Sequence, residues 1–304
     1  MSQVLWSCLA RFTVRLWLTR FMIMVVMYKL MWYSPQNATL KPESNGIIRI
    51  VNHLLLVVGT MMISEIPLLL DADLLQAGIR RYINTDFNTT PHCLISGETG
   101  SGKSYLFILL MGKISRCFPH AKIYCLDFKR NDELRCLLDV PNARYFTYLN
   151  VVDGLHLINS EFESRLQGST DRTPIFVFFD EHNSFISYLT VRDKKLAEEQ
   201  KMILGNIAFM GRSLGLKLIL SMQRCDSVSF ASGARDQFGL RIGLGTLSPE
   251  AKKMLFGEYD TDVIMPCSTG YGWMADSRGL RAIRVPQITR MDKLREAITD
   301  AVTR

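Results

Sequence analysis

Three features of this 304-residue sequence predict an α/β fold with a mainly parallel central sheet, preceded by an apolar, mostly helical N-terminal segment. Short continuous apolar runs, such as Ile175 to Phe179 and Leu216 to Met222, end in polar residues, the pattern of strands buried on both faces. A short apolar strand, a glycine-rich loop and a helical run follow one another between His92 and Ile114. The first 66 residues differ in composition from the rest, which divides the chain into residues 1–66 and a domain over residues 67–304.

Residues 4–33 are rich in Trp, Leu, Met, Val and Phe, but Arg11, Arg15, Arg20 and Lys29 interrupt them. The longest charge-free run within them, Phe21 to Tyr28, is far short of the roughly 20 residues a spanning helix needs. Two readings stay open: an amphipathic helix at a membrane surface, or a helix packed on the larger domain. Ile50 to Ser64 is a second charge-free stretch, 15 residues long, and reads either as a short tilted span or as a buried element. Ser34 to Gly46, with Pro35 and Pro42, reads as the loop between them.

The hydrophobic fraction of 48% supports a large core, and 21% charged residues are too many for a multi-spanning membrane protein. The net charge of +7 is unevenly placed, with six Lys/Arg against two Glu in residues 1–66 and 30 basic against 27 acidic residues thereafter. The larger domain is thus nearly balanced, and charge alone does not mark it as a nucleic-acid binder. The seven cysteines are odd in number and none forms a C-x-x-C pair, so reduced thiols are expected rather than a disulfide framework or a metal site.

The loop reads Gly97-Glu98-Thr99-Gly100-Ser101-Gly102-Lys103-Ser104, which is G-x-x-x-x-G-K-S between a strand and a helix. Its glycines let successive backbone N–H groups turn toward phosphate oxygens, and the following helix adds partial positive charge at its N-terminus. Residues Gly97 to Tyr105 are therefore expected to hold ATP. Lys103 would neutralise the β and γ phosphates and Ser104 would ligate Mg²⁺. The run Ile175 to Phe179 ends in Asp180 and Glu181. In parallel sheets ligands bind at the carboxyl ends of the strands, which brings both acids toward the loop. Asp180 then suits the Mg²⁺ shell and Glu181 the attacking water. Ala121 to Asp127 reads as a further strand, opening into the polar turn Phe128-Lys129-Arg130-Asn131. Leu216 to Met222 ends at Gln223, a candidate to hydrogen-bond the γ phosphate or the water.

These residues resemble the FtsK/SpoIIIE family over about residues 80 to 290. The lead-in Thr90-Pro91-His92 to the phosphate loop is similar to that family's Pro-His. The strand ending Asp127-Phe128-Lys129 resembles its Asp-Pro-Lys, with Phe128 in place of the Pro. Gly211-Arg212 through Leu218-Ile219-Leu220 to Gln223-Arg224 resembles its Gly-Arg to Gln-Arg segment. Arg235-Asp236-Gln237-Phe238, Arg241, Gly243 to Gly245, Phe256-Gly257, Gly270-Tyr271-Gly272 and Val285-Pro286 look like the coupling-protein branch, the TcpA-like ATPases of Gram-positive conjugative elements. Cys225 and Ser268-Thr269 depart from the usual pattern, in which a Pro and basic residues stand there.

The resemblance implies a RecA-like fold and a homo-oligomer, a hexameric ring that moves double-stranded DNA without sequence preference, with Arg212 as a finger reaching a neighbour's nucleotide. Relaxase or transfer-channel proteins and the membrane would be its partners, and its location the cytoplasmic face of the cell membrane, with a cytoplasmic location the alternative. Arg192, Lys194, Lys195 and Arg235 are candidate DNA contacts. A DNA-packaging or partitioning ATPase, and a nucleotide-gated membrane adaptor that does not pump, are the alternatives.

Overall fold

A computed structural model describes residues 65–304. The expected N-terminal helical segment and its membrane association lie outside these residues, apart from Glu65 and Ile66, which open strand β1. Among the described residues no helix is long and apolar enough to cross a membrane.

One ten-stranded sheet organises the chain. Its strands are β1 (Glu65–Asp71), β2 (Tyr82–Asp86), β3 (Cys93–Gly97), β4 (Lys122–Asp127), β5 (Tyr145–Thr147), β6 (Ile175–Asp180), β7 (Leu216–Met222), β8 (Leu240–Leu244), β9 (Tyr271–Asp276) and β10 (Gly279–Arg284). The order is β2-β1-β10-β9-β8-β3-β7-β6-β4-β5. From β8 to β5 every pairing is parallel. From β8 outward to β2 every pairing is antiparallel.

Seven helices are described: α1 (Ala72–Gln76), α2 (Lys103–Cys117), α3 (Val151–Leu166), α4 (His182–Arg192), α5 (Lys194–Leu214), α6 (Pro249–Phe256) and α7 (Met291–Thr303). They bury both faces of the parallel half, and the side-chain alternation of β6 shows how. Phe176 and Phe178 join the core that contains Phe107, Leu110 and Ile114 of α2 and Ile298 of α7. Ile175, Val177 and Phe179 point the other way, into the core with Leu155 of α3 and Ile207 of α5. Every residue of β6 is buried, so an alternating polar pattern would be destabilising and the continuous apolar run is required.

The helix ends follow local chemistry. Asp193 caps α5 by accepting from the Leu196 N–H at 3.0 Å. Gly215 closes that helix in the left-handed region (φ 80°), where a side chain would be strained and would also press on the buried Arg165 guanidinium. Arg165 in turn donates to the Leu214 carbonyl at 2.7 Å, binding α3 to the end of α5.

Candidate functional site: a phosphate loop facing two strand-end carboxylates

The sequence from β3 to α2 folds into a loop because glycine stands where the backbone turns or crowds. A Cβ on Gly97 would lie 2.6 Å from the Leu244 carbonyl oxygen of β8 and 2.7 Å from Ser101 Oγ. Gly102 has φ 98° and serves as the N-cap of α2. A second segment supports the loop from outside: the Thr269 hydroxyl donates to the Gly100 carbonyl at 2.9 Å, and the Gly270 N–H to the Ser101 carbonyl at 3.0 Å. Lys103 is buried and donates to the Glu98 carbonyl at 3.2 Å. Burial lowers its pKa, while the Glu181 and Asp180 carboxylates oppose that shift, so the three groups share one electrostatic environment.

The carboxylates sit at the carboxyl ends of β4 and β6. Asp127 and Asp180 are paired in register on those adjacent strands. Burial pushes both pKa values up, with Asn131 counteracting the shift at each. Asn131 links the two: its N–H donates to Asp127 Oδ2 at 2.7 Å and its side-chain amide to Asp180 Oδ2 at 3.1 Å. Glu181 follows as the N-cap of α4 with φ 57°, a left-handed backbone on a non-glycine residue. Its Oε2 accepts from Lys129 Nζ and from the Ser184 hydroxyl, each at 2.9 Å.

The residues fit a nucleotide and its metal. Glycines clear the loop, a lysine is buried within it, and the Ser101 hydroxyl is buried without a protein partner. Among the described residues no group of three or more His, Cys, Asp or Glu side chains could cage a metal by itself. That suits Mg²⁺, which takes one or two protein oxygens and completes its shell with phosphates and water. Ser104 and Asp180 are the donors expected to hold it. Bound there, Mg²⁺ would neutralise charge on the phosphate oxygens.

The FtsK/SpoIIIE family model matches residues 67–224, just over half of the chain. The chain belongs to the FtsK/SpoIIIE family. It is an ATPase of that family. The chain is 29% identical over 211 residues to the Ftsk domain-containing protein YdcQ of Bacillus subtilis (strain 168), a match covering 64% of this chain and 42% of YdcQ. It thus spans less than half of that relative's length. Among solved structures it is similar in fold to the pCW3 conjugation coupling protein TcpA with ATPγS. The TM-score is 0.56 at 18% identity, over 71% of this chain and 67% of TcpA. The cytoplasmic domain of the Thermomonospora curvata type VII secretion ATPase EccC also matches, with TM-score 0.56 at 22% identity over 79% of this chain and 31% of EccC.

Within this FtsK/SpoIIIE-type fold, Lys103, Asp180 and Glu181 act on one another electrostatically, but β6 does not adjoin β3. Strand β7 lies between them, so Gln223, immediately after β7, stands between the loop and the acids along the sheet edge. Tyr105 uses its hydroxyl to accept the Ile288 N–H, anchoring α2 to the segment before α7. Arg212 is in the last turn of α5, just before β7 begins, and so lies at the amino edge of the parallel strands, opposite its own phosphate loop. It is exposed and makes no ion pair among the described residues. Of the candidate DNA contacts, Arg235 is engaged by Asp236 at 3.1 Å and Met254 Sδ at 3.0 Å, whereas Lys194 and Lys195 are exposed. Sequence reasoning missed the roles of Lys129, Asn131 and Ser184. The polar turn after β4 was the available signal, but its partners on α4 and β6 are about fifty residues away.

Proposed function

We propose that this ATPase is a motor that moves double-stranded DNA, acting as a coupling protein during conjugative transfer of a mobile element at the cytoplasmic face of the cell membrane. The observation that carries this reading is the split of the catalytic groups across the sheet. Lys103, Ser104, Asp180 and Glu181 stand at the carboxyl edge, while Arg212, without an ion pair among the described residues, stands at the amino edge. A ring of identical subunits, here a hexamer, would bring one subunit's Arg212 to the next subunit's phosphate loop and couple hydrolysis to subunit movement. Fold similarity to a protein described as a conjugation coupling protein supports the conjugative role.

In this reading Lys103 and the loop N–H groups hold the β and γ phosphates. Glu181 orients and deprotonates the attacking water, and Gln223 contacts the γ phosphate. Asp180 and Ser104 hold the metal, with Asn131 orienting Asp180. Relaxase or channel proteins would bind elsewhere on the ring.

The test is ATP turnover measured without DNA and with linear duplexes of unrelated sequence across a salt series. A motor is expected to be stimulated several-fold, equally by each duplex, with stimulation lost as salt rises because phosphate contacts dominate the affinity. Turnover indifferent to every duplex would instead favour a nucleotide-gated adaptor.

A further inference from the structure

One surface at the carboxyl edge of β4, β5 and β6 carries features that nucleotide binding does not use. Four non-glycine residues among those described have a left-handed backbone: Arg130, Asn142, Tyr148 and Glu181, with φ of 58°, 58°, 51° and 57°. Three of these four follow the ends of β4, β5 and β6. Each costs roughly 1–2 kcal/mol for an L-residue, and such strain persists only where the surroundings impose it.

Aromatic packing surrounds Tyr148 here. Phe128 is buried and stacks on Tyr148 at 5.8 Å, with Tyr188 at 5.3 Å and Phe185 at 5.6 Å. The Tyr148 and Tyr188 hydroxyls are 2.6 Å apart. The Arg130 guanidinium lies 5.9 Å from the centre of the Tyr148 ring, and that of Arg192 lies 4.5 Å from the centre of the Tyr188 ring. Both arginines are exposed, and neither guanidinium makes a hydrogen bond or an ion pair among the described residues. Glu181 pairs with Lys129, Glu133 with Arg295, and Asp193 caps α5, while Asp132, exposed two residues after Arg130, makes no ion pair with it. Lys194 and Lys195 extend the positive run beyond Arg192.

The Tyr148 and Tyr188 rings each carry a guanidinium, and Tyr148 also stacks on Phe128, so the rings orient the two cations. A planar guanidinium held this way keeps N–H donors for a phosphate. From this arrangement we infer that Arg130, Tyr148, Tyr188 and Arg192 form a contact for the DNA phosphate backbone, and that Lys129 reports its occupancy to Glu181. Phe128, Lys129 and Arg130 are consecutive on one turn, so a phosphate bound at Arg130 competes with Glu181 for the neighbouring Lys129. Without DNA, Glu181 Oε2 is engaged by Lys129 and Ser184 rather than free to accept from water. Lys129 is thus a positioning residue that restrains the ATPase until DNA docks. This deepens the motor reading and rests on it.

The test uses the full chain and linear duplex DNA. Lys129→Met is expected to raise DNA-free turnover several-fold and flatten the DNA stimulation, while Lys129→Arg restores the restraint. The double variant Arg130→Ala, Arg192→Ala is expected to need about tenfold more duplex for half-maximal stimulation. Its slope of log affinity against log salt should be shallower by roughly 2, the value for two lost phosphate contacts. An unchanged slope in the double variant, or DNA-free turnover that is unchanged or reduced in Lys129→Met, overturns the inference alone. No stimulation of the unaltered chain by any duplex overturns the motor reading, and this inference with it.

Discussion

Glu181 illustrates how backbone and side chain combine at a single residue. Its left-handed backbone ends β6 and starts α4 in one step, turning the carboxylate back toward Lys103 and Lys129. In the proposed reading Lys103 binds phosphate by charge, whereas Glu181 acts on the water, so removing each should fail differently. Lys103→Ala is expected to lose both ATP binding and turnover. Glu181→Gln keeps the shape and a hydrogen-bonding oxygen but removes the proton acceptor. It should bind ATP normally and lose on the order of a hundredfold or more in turnover, the usual contribution of a general base. Equilibrium binding and single-turnover hydrolysis separate the two, and near-normal turnover in Glu181→Gln would remove the base assignment. Lys103 and Ser104 were legible in the sequence because a phosphate loop is a local motif with fixed spacing. The pairing of Lys129 with Glu181 was not, because it joins positions 52 apart through the sheet.

At the level of elements, legibility followed burial. β3, β4, β6 and β7 are covered on both faces and read directly as apolar runs. β2 and β10 expose part of their residues, and their mixed sequences Tyr-Ile-Asn-Thr-Asp and Gly-Leu-Arg-Ala-Ile-Arg do not separate from loop by pattern alone. The antiparallel extension they build with β1 and β9 was therefore seen only in the structure. Two buried histidines join elements and make stability depend on pH. His92 precedes β3 and accepts the Leu218 N–H of β7 at 3.0 Å; burial, with the Lys217 charge adding, lowers its pKa to about 4. His182 opens α4, and burial, with Lys201 adding, lowers its pKa to about 3. Both remain neutral in the folded chain while the unfolded chain takes up protons near the ordinary value of 6.5. Their contribution is thus complete above pH 6.5 and declines as pH falls toward about 4, for His92 by roughly 3 kcal/mol over the window. Asp127 and Asp180, raised by burial, act in the opposite sense toward the acidic end. The melting temperature should therefore fall from pH 6.5 downward, less steeply in His92→Gln, which keeps an acceptor but no titrating ring. A flat profile between pH 6.5 and 5 would show that these rings are protonated alike in both states.

At the scale of the whole molecule, the sheet separates two chemistries by its thickness along the strands. The carboxyl edge carries the residues proposed to hold phosphate and metal and to act on water, and the amino edge holds an open cavity of about 550 Å³ lined by Thr90, His92, Arg212, Arg241, Glu258 and Tyr259. Arg241 is already paired with Glu258 there, so Arg212 is the cation in that lining without an ion-pair partner among the described residues. A helix-end arginine serving only its own fold would be expected to find a carboxylate or a carbonyl, as Arg165 and Arg304 do. The position instead suits a group that completes a site on another copy, where a planar guanidinium can donate to two phosphate oxygens. Arg212→Ala should then assemble and bind ATP like the unaltered chain, but hydrolyse it a thousandfold or more slowly, about the contribution of arginine fingers elsewhere. Lys103→Ala subunits are inactive for a different reason, since they carry an intact Arg212 but a broken phosphate loop. If the proposed ring forms, mixed assemblies would contain interfaces where an intact loop from an Arg212→Ala subunit meets an intact Arg212 from a Lys103→Ala subunit. Such interfaces should recover part of the turnover that neither variant has alone, with a maximum near equal proportions. An arginine acting within its own chain gives no recovery at any ratio, so a flat mixing curve with co-assembly verified would return Arg212 to a structural role.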